Sequence, residues 1–216
     1  MGATSIQAVI FDLDGTLVDS LEDIASALGG ALADAGLARP PVELVRAWIG
    51  DGAHSLVRRA VEGRADVDAV FASFRERYRA QPIVTTRLYD GVAAALDELA
   101  GPGRSFAVLS NKPHELTKVI ADRLLGAWPF AAVFGQRPGL PLKPDPTVAL
   151  VAADELGVSP ARCAFVGDSA IDVETARAAG MRAVAVAWGF RDRVELEAAQ
   201  PDVIVDEPRQ LAAAIA

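Results

Sequence analysis

The stretch Gln7-Ala8-Val9-Ile10-Phe11-Asp12-Leu13-Asp14-Gly15-Thr16 decides the fold class of this chain. Residues 7–11 make a short apolar run with little alternation, the pattern of a strand buried on both faces. The run stops at two carboxylates. Asp12 and Asp14 are two residues apart, so an extended backbone puts them on the same side, and Gly15 lets the chain turn back at once. Like charges this close repel unless a cation or a proton sits between them. An Asp that ends a buried strand also needs a partner. The pair therefore reads as the beginning of a site, not as a solvated turn.

Five more runs of the same character lie at residues 105–109, 131–134, 164–166, 183–187 and 203–205. Helical stretches alternate with them. Asp90-Gly91 opens one over residues 92–100, and Pro113 opens another to about Leu125. Asp145-Pro146 reads as N-cap and first helical residue of a helix ending near Gly157, and Ser169 caps one that stops at Gly180. Strand–helix alternation predicts an α/β fold, a doubly wound, Rossmann-like parallel sheet with helices on both faces. The spacing breaks once. A βαβ unit takes about 30 residues, yet the first run ends at Phe11 and the second begins at Ser105. The gap holds no good strand but four helical patterns, near residues 21–36, 41–48, 53–62 and 67–79. Residues 18–88 are thus expected to form a small helical domain inserted after the first strand, and residues 1–17 with 89–216 the α/β core.

Composition excludes several function classes. The 216 residues carry 21 Lys and Arg against 29 Asp and Glu, a net charge of −8 and a sequence pI of about 4.8. That balance argues against a nucleic-acid polymer as partner. With 51% hydrophobic and 23% charged residues the chain is expected to be globular. A single cysteine, Cys163, leaves no intrachain disulfide and no thiolate zinc cage. No charged segment followed by an apolar one opens the sequence, and no apolar run approaches about 18 residues, so a cytoplasmic location without a membrane partner is expected. Of the 21 basic residues only Lys112, Lys118 and Lys143 are lysines.

In an open parallel sheet, ligands sit beyond the carboxyl ends of the strands, so the residues after each run carry the chemistry. Ser110-Asn111-Lys112 follow the second run, and Lys143-Pro144-Asp145-Pro146 lie in the loop after the third. Gly167-Asp168-Ser169 follow the fourth, with Asp172 one helical turn on. Carboxylate oxygens without His or Cys favour a hard cation, and Mg²⁺ with a phosphate substrate fits best.

The segments 12–20 (Asp-Leu-Asp-Gly-Thr-Leu-Val-Asp-Ser), Ser110, Lys143 and 167–172 (Gly-Asp-Ser-Ala-Ile-Asp) resemble, in order, the four motifs of the haloacid-dehalogenase-like hydrolase superfamily. The helical insertion resembles that superfamily's C1 cap. Trp48-Ile49-Gly50-Asp51-Gly52-Ala53 and Trp188-Gly189-Phe190 are similar to segments of phosphoglycolate phosphatases. The resemblance implies a Mg²⁺-dependent phosphatase of a small phosphomonoester, 2-phosphoglycolate first, working through an aspartyl-phosphate on Asp12. It implies Asp14 as general acid and base, also offering its backbone carbonyl to the metal. Asp12 and Asp168 would ligate the metal directly, and Asp172 through water or Lys143. Ser110, Asn111, Lys143 and the turn at Gly15 and Thr16 would hold the substrate's phosphoryl group. The four aspartates against Lys143 leave three net negative charges, which would repel a phosphate dianion unless a cation is bound.

Related readings differ mainly in the cap: a β-phosphoglucomutase-like phosphomutase, a sugar or nucleotide phosphatase, or a pyrophosphatase. A non-catalytic binding module is disfavoured by the intact residue set, and the oligomeric state stays open. Lys112 reads as a surface or supporting residue, Asp19 and Ser20 as a helix start, and His54 and His114 as bland positions. Arg46, Trp48, Arg58 and Arg59 are the cap positions to watch for a substrate carboxylate, although each is more often a solvated or packing residue.

Overall fold

The six apolar runs become six parallel strands of one sheet. A computed structural model describes residues 5–101 and 104–216, so residues 1–4 of the expected core segment lie outside the described residues. Strand β1 (Ala8–Phe11) is followed by a two-residue strand, β2 (Val18–Asp19), and four helices, α1 (Leu21–Asp34), α2 (Val42–Trp48), α3 (Ala53–Val61) and α4 (Val67–Ala80). The chain returns through β3 (Arg87–Leu88) and α5 (Val92–Leu99) to β4 (Ser105–Pro113), α6 (His114–Leu124) and β5 (Phe130–Gln136). It then alternates through α7 (Thr147–Glu155), β6 (Cys163–Gly167), α8 (Ala170–Ala178), β7 (Arg182–Val186), α9 (Arg193–Ala199), β8 (Val203–Val205) and α10 (Leu211–Ile215). The sheet order is β5-β4-β1-β6-β7-β8, with every adjacent pair parallel.

The apolar runs are continuous because both sheet faces are covered. Val9, Phe11, Phe106 and Val166 point to one side, where Leu96 of α5, Ile120 of α6 and Ile215 of α10 cover them. Ile10, Ala107, Phe165 and Ala185 point to the other, beneath Ala149 of α7, Val173 of α8 and Leu196 of α9. A third apolar cluster lies outside the sheet. Leu28 and Leu32 of α1, Val57 of α3, and Phe74 and Tyr78 of α4 pack together, with Leu116 of α6 touching them from below.

Three local features depart from the sequence expectations. The 18–88 interval does contain strands: β2 and β3 pair antiparallel, Val18 opposite Leu88 and Asp19 opposite Arg87. They are too short to write a periodic pattern, and they form because the chain leaves and re-enters the sheet region side by side. Helix α7 begins one residue late, with Pro146 at the cap position and Asp145 Oδ1 accepting from Thr147 N at 2.9 Å. Strand β4 continues past Leu109, but its pairing with β5 slips between Leu109 and Pro113. The slip bulges Ser110, Asn111 and Lys112 out of the ladder at the sheet's carboxyl edge. Helices α9 and α10, at seven and five residues, are too short for a readable period.

The paired linkers β2 and β3 are pinned by one side chain. The buried Asp23 carboxylate of α1 accepts from the backbone N–H of Val84, Thr85 and Thr86 and from both threonine hydroxyls, at 2.6–3.1 Å. Burial works to raise its pKa, but the hydrogen bonds from Thr86, Val84 and Thr85 outweigh it and hold the carboxyl below its ordinary value. Its contribution is therefore complete above about pH 4 and fades as pH falls through the lowered folded-state value. Replacing Asp23 by Ala strands three N–H donors and should cost on the order of 3 kcal/mol. A denaturant midpoint indistinguishable from that of the unmutated protein would refute this anchor.

Candidate active site

The sheet changes winding direction at β1: the chain moves outward to β4 and β5 on one side, and later to β6, β7 and β8 on the other. The crevice at the carboxyl ends of β1 and β6 is where such folds bind ligands. Asp12 leaves β1 there, its N–H donating to Val166 O at 2.9 Å, and Asp168 leaves β6 beside it. One carboxylate oxygen each from Asp12, Asp168 and Asp172 lies within 4.8 Å of the others, all three residues buried. Gly15, at φ +88°, lies so close that a Cβ there would stand 2.3 Å from Asp168 Oδ2, so only glycine fits this turn.

Lys143 ties two corners of this triangle together. Its Nζ lies 2.8 Å from Asp12 and 2.6 Å from Asp172. Asp172 Oδ2 also accepts from Ser169 N at 3.1 Å and Ser169 Oγ at 2.6 Å, closing a capping box at the start of α8. Asp168 Oδ2 accepts from Phe190 N at 2.6 Å. Burial, opposed by Lys143 and reinforced by Asp172 and Asp14, pushes Asp12 up to about 6. Burial, then Asp172 and Asp12, pushes Asp168 up to about 8. Burial works against the Lys143 ammonium, but the Asp12 and Asp172 carboxylates overcome it and raise that pKa. The cluster thus concentrates more negative charge than its burial tolerates. An all-oxygen, buried donor set with that excess fits a hard divalent cation.

Asp14 stands apart from the triangle. Both of its oxygens lie 2.9 Å from Lys112 Nζ, and Oδ1 accepts from Ser20 Oγ at 2.5 Å. Lys112 is therefore a buried site residue, 7% exposed, and not a surface one. Ser20 does sit at the N-cap position of α1 but makes no side-chain cap bond, because its hydroxyl is turned to Asp14. With Lys112 counted, four buried aspartates face two buried lysines, and a divalent cation would bring the cluster to neutrality.

The remaining expected residues divide. Ser110 lines the cavity beside Asp12, Asp14 and Lys143, its Oγ accepting from Lys112 N at 3.3 Å. Asn111 also lines it, but its amide donates to Gly50 O and Lys143 O at 2.9 and 3.1 Å and accepts from Lys143 N at 2.8 Å. Its side chain holds two loops in place instead of reaching for a phosphoryl oxygen. Gly15 and Thr16 give their N–H groups to Val18 O and Leu13 O, closing their own turn. The turn geometry uses the donors that were expected to face a phosphate.

Helices α1, α3 and α4 roof this floor with Ile24, Leu56 and Phe74, bounding a partly open cavity of about 60 Å³. Arginines clasp the roof to the site loops. Arg46 of α2 donates to Gly189 O at 2.7 Å and Phe190 O at 2.8 Å. Arg191, itself lining the cavity, donates back to Arg46 O at 3.0 Å and to Ile49 O. Arg46, Trp48, Arg58 and Arg59 do not line the cavity. Arg59 instead pairs with Asp51 and donates to Trp48 O, and Arg58 meets Ser55. His54 pairs with Asp68 in solvent, and His114 accepts from Gly135 N. Lys112 is the site residue missed from sequence, and the scarcity of lysine that drew attention to Lys143 applied equally to it.

The family model for haloacid dehalogenase-like hydrolases matches residues 6–180. A phosphoglycolate phosphatase of Pseudomonas putida KT2440 is 37% identical over 213 residues, spanning 94% of this chain and 77% of that protein. One from Xanthomonas campestris pv. campestris 8004 is 35% identical over 211 residues, spanning 95% and 94%. The crystal structure of a predicted phosphoglycolate phosphatase from Haemophilus somnus 129pt superposes over the whole of both chains with a TM-score of 0.90 at 29% identity. A parallel sheet wound about β1, an aspartate triangle at its carboxyl edge and a match across most of the sequence agree: the chain belongs to the haloacid dehalogenase-like hydrolase family.

Proposed function

We propose that this chain is a phosphatase that hydrolyses a small phosphomonoester through an aspartyl-phosphate, with 2-phosphoglycolate as substrate. The observation that carries the reading is the arrangement of Asp12 and Asp14 on one cavity floor, each beside a different buried lysine. The two carboxylates have separate surroundings and can take separate roles. Asp12 attacks phosphorus as the bond to the ester oxygen breaks, and Asp14 delivers a proton to that oxygen. Water, losing its proton to Asp14, then attacks the same phosphorus, releasing phosphate and restoring Asp12. Lys143 and the Ser110 hydroxyl stabilise the phosphoryl oxygens as charge moves onto them.

Asp12 and Asp168 would hold Mg²⁺, with Asp172 behind them. The ion supplies positive charge that lets a phosphate dianion approach the aspartates. Residues 18–88 act as a cap over residues 1–17 and 89–216, which form the catalytic core. The small cavity and its apolar roof support a short substrate. The identity to relatives named phosphoglycolate phosphatase supports the choice of substrate.

Asp12→Asn should lower p-nitrophenyl phosphate turnover on the order of 10³-fold or more while the protein stays folded; retention of most of the rate would remove Asp12 as nucleophile. EDTA should silence the enzyme. Mg²⁺ should restore it and also raise Tm by binding the folded state, a shift that Asp168→Asn should abolish. Full turnover in EDTA would overturn the charge argument. In a substrate panel, kcat/KM should favour 2-phosphoglycolate over p-nitrophenyl phosphate by about 10-fold or more. Equal values would reject the substrate, and conversion of β-glucose 1-phosphate to glucose 6-phosphate without free phosphate would indicate a mutase.

A further inference from the structure

We propose that Lys112 and the hydroxyl of Tyr78 form a subsite for a carboxylate carried on the leaving group of the substrate. This rests on the reading of the chain as a phosphomonoesterase and identifies the residues that would choose among esters.

Three cationic side chains line the cavity, Lys112, Lys143 and Arg191. Lys143 is held between two carboxylates. Arg191 gives its guanidinium to Arg46 O, Ile49 O and Glu195. Lys112 meets a single carboxylate, through two contacts to Asp14, which leaves one of its three ammonium hydrogens for another acceptor. The face of Tyr78 lies 4.5 Å from the same nitrogen.

Tyr78 comes from the opposite wall. It lines the cavity from α4, is 1% exposed, and its hydroxyl has no hydrogen-bond partner among the described residues. Buried tyrosine hydroxyls usually find partners, and this one, at a residue that lines the cavity, still has its donor to give. Burial, with Asp14 and then Asp23 adding repulsion, holds the phenol protonated well above its ordinary range. It can therefore donate at any pH at which the enzyme would work.

Position decides which part of a substrate would meet these donors. Lys143 and Asp12 mark where phosphorus reacts. Lys112 touches Asp14, the group proposed to protonate the leaving oxygen, so an anion beside Lys112 belongs to the leaving group. The nearby roof is apolar, with Ile24, Leu56 and Phe74. A carboxylate there has these two donors to satisfy it and would otherwise be buried unpaired. Because Lys112 comes from the β4 bulge and Tyr78 from the helical unit, the same carboxylate would bridge the two parts of the chain. Arg46, Arg58 and Arg59, the arginines to watch for a substrate carboxylate, are engaged elsewhere.

The test compares 2-phosphoglycolate with ethyl phosphate, which matches it in length but lacks the charge, for the unmutated protein, Tyr78→Phe and Lys112→Met. Tyr78→Phe removes a hydroxyl that makes no hydrogen bond, so its Tm should not fall. Its kcat/KM ratio of phosphoglycolate to ethyl phosphate should drop about 10-fold or more, chiefly through KM. In Lys112→Met both rates should fall, because Asp14 loses its partner, but the ratio should collapse as well. An unchanged ratio in folded Tyr78→Phe overturns the subsite. Should that variant not fold, Lys112→Met decides alone: an equal loss on both esters leaves Lys112 as a positioning residue for Asp14 and also overturns it. If the unmutated protein hydrolyses both esters equally, the phosphatase reading stands and the subsite fails. If it hydrolyses neither ester nor p-nitrophenyl phosphate, the phosphatase reading itself fails.

Discussion

The Lys143 ammonium, wedged between Asp12 and Asp172, is the contact on which the rest of the site depends. Three carboxylates with oxygens inside 4.8 Å of one another repel strongly once water is excluded. A compact cation between two of them lets Asp12 at the tip of β1 and Asp172 at the start of α8 stand together. A lysine suits this position better than an arginine, because the ammonium is a point charge with three donors and no plane to accommodate. The loop that delivers it is held by Asn111, whose amide clasps the Lys143 backbone on both sides. The pair is buried, so its value lies in organising the acids more than in net stability. The charge left uncompensated suits the cluster to a hard cation.

Around that point the molecule is built in two halves with different chemistry. Strand ends and the β4 bulge supply a polar floor; the helices supply an apolar roof. The halves meet through a double-stranded linker pinned by Asp23 and through the Arg46, Arg191 and Asn111 contacts to backbone carbonyls. Those contacts need no particular side chain on the receiving loop, because every acceptor is a carbonyl. An apolar roof lowers the dielectric over the floor, which strengthens the ion pairs beneath it.

Much of this was legible in the sequence because it follows from periodicity. Unbroken apolar runs required a sheet covered on both faces, and the acids just beyond them had to reach one edge. The long gap between the runs at Phe11 and Ser105 pointed to helical chain, and helices α1 to α4 lie there. Features that do not repeat were harder to read. Two residues are too few to mark β2 and β3. The bulge that turns Ser110 to Lys112 into the site depends on how β4 pairs with β5. Gly15 and Thr16 looked like phosphate donors, but only the closed turn reveals that their N–H groups are already taken.

By itself, then, the sequence determined the α/β class and the acids at the sheet edge, because strand burial follows from local pattern; the strand order came from the fold. Tertiary structure alone decided the partners. Nothing local to Asp14 says that Lys112, ninety-eight residues away, will neutralise it, or that Tyr78 will lie across from both. Arg46, Arg58 and Arg59 looked equally available for a substrate, and packing took each for a carbonyl, a surface hydroxyl or a neighbouring acid. A side chain's partner is set by distances between elements distant in sequence, and those distances exist only once the helices have closed over the sheet.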